Sequence, residues 1–147
     1  MSVEFDRQAA VFTRLDGTAA LTNQLAAHAY AAGKKAIYDY APQADDAGST
    51  VAFPYVALGD ETDVQWDTDD SVGREATLTI HTLSRYRGKK EAHNIMGAIK
   101  TALHQHALAV SGQVTVLCYW EFSEIFTEPD GITRHGVQRF RIITEGN

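Results

Sequence analysis

The stretch Ala36-Ile37-Tyr38-Asp39-Tyr40-Ala41-Pro42, followed after a small polar segment by Phe53-Pro54-Tyr55-Val56-Ala57-Leu58-Gly59, divides this chain in two. Two short β-rich runs flank a loop at residues 43–50, and each run has a proline at one edge. Pro42 stops the first, so residues 37–40 predict a short strand at a sheet edge. Pro54 disfavours a central-strand position, and the apolar Tyr55-Val56-Ala57-Leu58 predicts a strand from Tyr55 onward. The segment holds no nucleophile–base pair and no ligand cluster. Its role is architectural.

Toward the N-terminus the pattern is helical. Val3, Phe5, Ala9, Phe12 and Leu15 recur at helical spacing, which leaves Glu4, Asp6, Arg7 and Arg14 for the solvent face. Ser2 is placed to cap this helix, and Asp16-Gly17 ends it. A second helix is expected over residues 18–32, with Leu21 and Leu25 buried. Gly33-Lys34-Lys35 closes it, and the basic end suits the helix dipole.

Toward the C-terminus the pattern becomes that of a sheet. Residues 60–73 carry Asp60, Glu61, Asp63, Asp67, Asp69 and Asp70, with only Val64, Trp66 and Val72 as large apolar residues. They read as a long acidic loop, functional or mobile. From Arg74 to Arg85 the alternation of Ala76, Leu78 and Ile80 with Thr77, Thr79 and His81 predicts a half-buried strand. Residues 89–106 form the clearest helix, with Ala92, Ile95, Met96, Ile99, Ala102 and Leu103 on one face. A long hairpin follows. Val114, Val116, Cys118, Trp120 and Phe122 alternate along its first strand, Pro129-Asp130-Gly131 turns it, and Val137, Phe140, Ile142 and Ile143 return.

The 147 residues suit one domain, 1–147, with a substantial core, and 44% hydrophobic with 22% charged residues is an ordinary globular balance. A net charge of −6 argues against a general nucleic-acid or membrane-surface binder, because either needs a basic face. It permits a protein that lets DNA pass without gripping it. The lone Cys118 lies in an apolar run and reads as a small buried hydrophobe. The N-terminus shows no signal peptide, and no apolar run approaches the ~20 residues of a membrane span. We therefore expect synthesis and folding in a bacterial cytoplasm.

Catalytic and metal signatures are absent from the sequence. His104 and His106 stand about 200° apart on a helix and cannot share a metal. The Asp67-Thr68-Asp69-Asp70-Ser71 run lacks the glycine and distal glutamate of a calcium loop. Ser84, Ser111 and Ser123 lack a hydrolase elbow, and Gly88-Lys89-Lys90 has no phosphate-loop glycine before it. An enzyme reading would nominate His81 with Asp39 in a sheet-edge pocket. The one dense positive cluster is Arg85, Arg87, Lys89 and Lys90. Two readings compete there: a solvated turn leading into the helix, and a subunit contact to the acidic residues 60–70 of a neighbouring copy, an arrangement that suits a head-to-tail ring.

The order of these features is that of a known family. An N-terminal helix precedes Tyr38-Asp39-Tyr40-Ala41-Pro42 and Phe53-Pro54-Tyr55-Val56, ending in Leu58-Gly59. Then come the strand Thr77-Leu78-Thr79-Ile80-His81, a helix with Ala92 followed by Ile95-Met96, and a terminal hairpin. This resembles the tail-completion, or tail-terminator, family of long-tailed phages and phage-like gene transfer agents. The resemblance implies an α+β fold with a mixed, mainly antiparallel sheet packed against helices. It implies a structural protein without cofactor, metal or catalytic residues. Such a protein forms a hexameric ring at the head-proximal end of the tail, between the major tail-tube protein and the head-side connector or stopper, with DNA passing through. Competing readings are a head-side adaptor of the same joint and a small α+β enzyme or ligand-binding domain. The expected interface or lumen residues are Asp60, Asp63, Asp67, Asp69, Asp70, Arg85, Arg87, Lys89 and Lys90.

Overall fold

A computed structural model describes residues 2–39 and 51–146. The elements run α1 (Val3–Asp16), α2 (Ala19–Thr22), β1 (Ile37–Tyr38), β2 (Tyr55–Gln65), β3 (Val72–Ser84), α3 (Lys90–Leu103), β4 (Gln113–Thr127) and β5 (Arg134–Gly146). The strands make one five-stranded sheet in the order β1-β2-β3-β5-β4. Only β1 and β2 pair in parallel, and the other pairings are antiparallel. The fold is the expected α+β arrangement. Of the first β-rich run, Ile37 and Tyr38 form the edge strand, while Tyr40, Ala41, Pro42 and the loop 43–50 lie outside the described residues. The Phe53–Pro54 peptide bond is cis, and β2 starts immediately after it.

One face of the sheet is apolar because alternate residues point the same way. Ala76, Leu78 and Ile80 on β3, Phe140 and Ile142 on β5, and Cys118 on β4 are buried together beneath Ile95, Ile99 and Leu103 of α3. All six residues of the predicted α3 face are buried. Burial pushes the Cys118 thiol up to about 12, which makes it inert. In β4, shifts of register between Thr115 and Leu117 and between Trp120 and Phe122 break the simple alternation. Hence Trp120 packs against the core while Phe122 stands exposed. The side chains of Thr115 and Val116 lie outside the described ones.

Length decides how the helices cover the sheet. A helix of 14 residues spans ~21 Å, whereas the 13 residues of β3 span ~43 Å. α3 therefore covers only the half near its own start. It ends where Gln105 donates to the Cys118 carbonyl and the Trp120 amide donates to His104 Nδ1. Beyond that point Leu108 and Val110 are buried, and α1 docks beside α3 through Arg14 Nε and the Ala102 carbonyl at 2.9 Å.

Three expectations are corrected here. The inward face of α1 is Arg7, Val11 and Leu15, not the stripe that includes Phe5 and Phe12, and Phe5 remains 61% exposed. Arg7 is only 1% exposed because β2 offers it two carboxylates, with Glu61 at 3.5 Å and Asp63 at 3.4 Å. Second, the helix expected over residues 18–32 shrinks to Ala19–Thr22, although Leu21 and Leu25 are buried as read. Alanines favour a helix locally but offer little apolar area to dock one, so the chain turns and forms an Ala27–Lys35 bridge. Third, residues 60–73 are not a long loop. β2 continues to Gln65 and pairs with β3, and only residues 66–71 form the tip.

The carboxylates explain why that hairpin was unreadable. Glu61 and Asp63 sit on the helix side of β2, where apolar residues are the rule, and they succeed there because Arg7 meets them. Arg74 adds contacts to Asp63 at 3.0 Å and to Glu4 at 2.5 Å, tying α1 to both strands. Burial still pushes the Glu61 carboxyl up, against the pull of Arg7. Arg7→Ala leaves two carboxylates side by side beneath α1. Allowing for their partial exposure, we expect a loss of about 2–3 kcal/mol, measured by denaturant unfolding, and partial recovery when Glu61→Gln and Asp63→Asn are added.

Candidate functional site

Eight of the nine charged residues singled out above fall into two clusters toward opposite ends of β3, which lie about 40 Å apart at ~3.3 Å per residue, whereas Asp60 stands between the Leu58–Ile80 and Glu61–Leu78 pairs near the middle of the strand. The acidic end is the β2–β3 tip. There the Trp66 amide donates to the Gly73 carbonyl, the Gly73 amide to Asp67 Oδ1, and the Thr68 amide to the Ser71 carbonyl. Gly73 has to be glycine, since a Cβ would collide with the Trp66 carbonyl. Asp67 thus shapes the turn and also accepts from Gln65 Nε2, while Asp70 accepts from the Thr68 hydroxyl at 3.4 Å. Asp60 and Asp69 face solvent, and Asp63 is consumed by Arg7 and Arg74. Trp66, Val64 and Val72 are exposed around the aspartates.

The basic end is the turn from β3 into α3. Arg85 is used within the subunit, its guanidinium 4.1 Å above the Phe53 ring and its Nε 3.3 Å from the Thr133 hydroxyl. That hydroxyl donates to Asp130, which also accepts from the Thr133 and Ile132 amides. These bonds hold the Asp130 carboxyl down to about 2 and fix the β4–β5 turn. Arg87, Lys89 and Lys90 are exposed and make no ion pair among the described residues. Lys89 occupies the N-cap of α3 and makes no side-chain capping bond. A cation there opposes the helix dipole and forgoes the usual Ser, Thr or Asp cap.

The His81–Asp39 pairing does not form. His81 Nδ1 lies 2.7 Å from His135 Nε2, and His135 Nδ1 is 2.5 Å from Glu128. A carboxylate only accepts, so His135 carries its proton on Nδ1 and a single proton is shared between the rings. The far side of His81 is closed by Gly59, where a Cβ would come within 2.6 Å of the ring. The chain has no nucleophile at its end and serves as a bracket between β3 and β5. Sequence reasoning missed it because the two histidines are 54 residues apart and meet only through the pairing of His81 with Val137. Among the described residues, no group of three or more His, Cys, Asp or Glu is placed to hold a metal ion.

Comparison with known proteins supplies the family. A profile of the family described as tail completion protein gp17 matches residues 9–145. The chain belongs to this family. It is 27% identical over 100 residues to tail completion protein gp17 of Bacillus phage SPP1, covering 68% of this chain and 74% of that one. Its fold matches a chain from the virion of a native gene transfer agent particle with a TM-score of 0.79, at 23% identity, covering 95% of this chain and 94% of the other. Family membership makes it a structural component of a phage tail or phage-like particle that assembles with other particle proteins.

The histidine bracket gives a pH dependence with a definite sign. Burial, and then the neighbouring His135, lower the His81 pKa from its ordinary 6.5. A depressed imidazole pKa contributes stability that is present above about pH 6.5 and lost as the pH falls through the folded value. The melting temperature should therefore drop on acidification from about pH 7 toward pH 5, and His81→Gln should flatten that slope. An unchanged slope in the variant would assign the acid sensitivity elsewhere.

Proposed function

We propose that this protein forms a homo-oligomeric ring, hexameric by its family resemblance, on the head-proximal end of the tail tube. The ring ends tube polymerisation and presents a surface to the head-side connector or stopper. The observation that carries this reading is the separation of unlike charge. Asp67, Asp69 and Asp70 stand beyond one end of β3 and Arg87, Lys89 and Lys90 beyond the other, while Asp60 lies near the middle of that strand. Within one subunit these clusters cannot meet. Between successive subunits they can, and a heterologous contact repeated by rotation closes into a ring. Asp63 and Arg85 support the two ends from within, through Arg7 and Phe53.

The net charge of −6 suits a channel through which DNA passes without specific binding, since a basic lining would hold phosphates by counterion release. Assembly takes place in the bacterial cytoplasm, and the major tail-tube protein is the partner on the distal side. Nothing in this role requires catalysis, a cofactor or a membrane.

Deletion of the gene followed by electron microscopy tests the reading. Tubes of abnormal length lacking heads are expected, whereas normal tubes joined to filled heads would overturn it. In the intact system, simultaneous reversal of Asp67, Asp69 and Asp70 to lysine should cut infectious particles by about tenfold or more, the scale of several unfavourable charge contacts.

A further inference from the structure

β4 is a sheet edge, and a groove of about 470 Å³ runs between it and the flank of α3. Its floor is apolar, made by Met96, Trp120 and Ile125, and Gly97 leaves open space above it. Lys89, His93 and Lys100 line the α3 side at helical spacing. The Lys100 ammonium lies 3.9 Å over the Trp120 ring, and the Trp120 indole donates to the Ser123 hydroxyl at 2.7 Å, which together fix the orientation of the ring in the groove floor. Glu124 is the single carboxylate in the lining, outweighed by the two lysines. In the middle of β4 the edge is closed by His104 and Gln105, but nothing described pairs the outer edge beyond Phe122.

We propose that this groove is the seat for the β2–β3 tip of a neighbouring copy. The tip supplies what the groove lacks. Trp66 stands exposed with Val64 and Val72 beside it, and Asp67, Asp69 and Asp70 crown the turn. An apolar floor with a cationic wall fits an aromatic tip with an acidic crown. Tip and groove also lie toward opposite ends and opposite flanks of the sheet, because β2 and β4 are separated by β3 and β5. A contact between them joins two different surfaces, as a head-to-tail arrangement does. The unfavourable Lys89 cap gains a reason, as its charge is directed at a carboxylate of the next subunit. The proposal rests on the ring reading above and specifies its interface.

Charge exchange in the full-length protein tests it. Reversal of the tip (D67K, D69K, D70K) and reversal of the groove wall (K89E, K100E) should each reduce oligomers on purified tubes by about tenfold or more. Mixing the two variants restores complementarity at every joint of an alternating ring, so co-assembly should recover while either variant alone fails. Independently, D69C with H93C should give a disulfide-linked ladder under mild oxidation, and each single variant no more than a dimer, since Cys118 is buried and inert. Rings that form without the ladder and without rescue on mixing would overturn the seat but leave the ring. A ladder without any effect on tails would keep the seat and overturn the terminator role.

Discussion

Arg7 reaches from α1 to two carboxylates on β2 with almost none of its surface left to solvent, and much of the architecture depends on that contact. The long strands β3, β4 and β5 are about twice the length of either main helix. One helix cannot cover them, and the second has to be held at the end where the sheet is polar. An apolar stripe alone would not place α1 there, since Phe5 and Phe12 face the other way. The guanidinium does so with direction as well as affinity, because two acceptors on one strand fix its angle. Arg74 and Glu4 extend the same network, so the acidic hairpin is braced from below before its tip projects.

Much of the fold was legible in the sequence wherever hydrophobic period and burial agreed. The face of α3, the alternation of β3 and the terminal hairpin are of this kind, as are the edge strand at Ile37 and the strand start at Tyr55. The failures share a cause. A charged residue at an inward position looks outward in a one-dimensional pattern. Thus Arg7 was assigned to solvent, and Glu61 and Asp63 turned a strand into an apparent loop. Each depends on the other, and neither is readable without the pairing of distant elements. The short α2 failed differently, since helix propensity in Ala26, Ala27, Ala31 and Ala32 carries no docking energy.

The candidate surface was legible in part. Charge clusters can be seen in any sequence, and their separation to opposite ends follows once β3 is recognised as the strand between them. What could not be read was the division of labour within each cluster. Asp63 and Arg85 are spent on internal contacts, and Asp67 uses one oxygen on the Gly73 amide and the other on the Gln65 side chain. The groove beside Trp120 was also invisible, because the shift of register in β4 decides which aromatic packs inward and which stays at the surface.

The opposed charges at the two ends of β3 have a bearing on how a pool of free subunits behaves. Two copies approaching with the same ends together meet like charge, acidic against acidic or basic against basic. Parallel pairs are thereby discouraged, whereas an antiparallel two-fold pair sets each acidic end against the other copy's basic end. Opposite ends attract, but a single such contact is small, and its long-range component is screened beyond ~8 Å at physiological salt. A contact this weak counts for more where several close at once than where two copies meet alone.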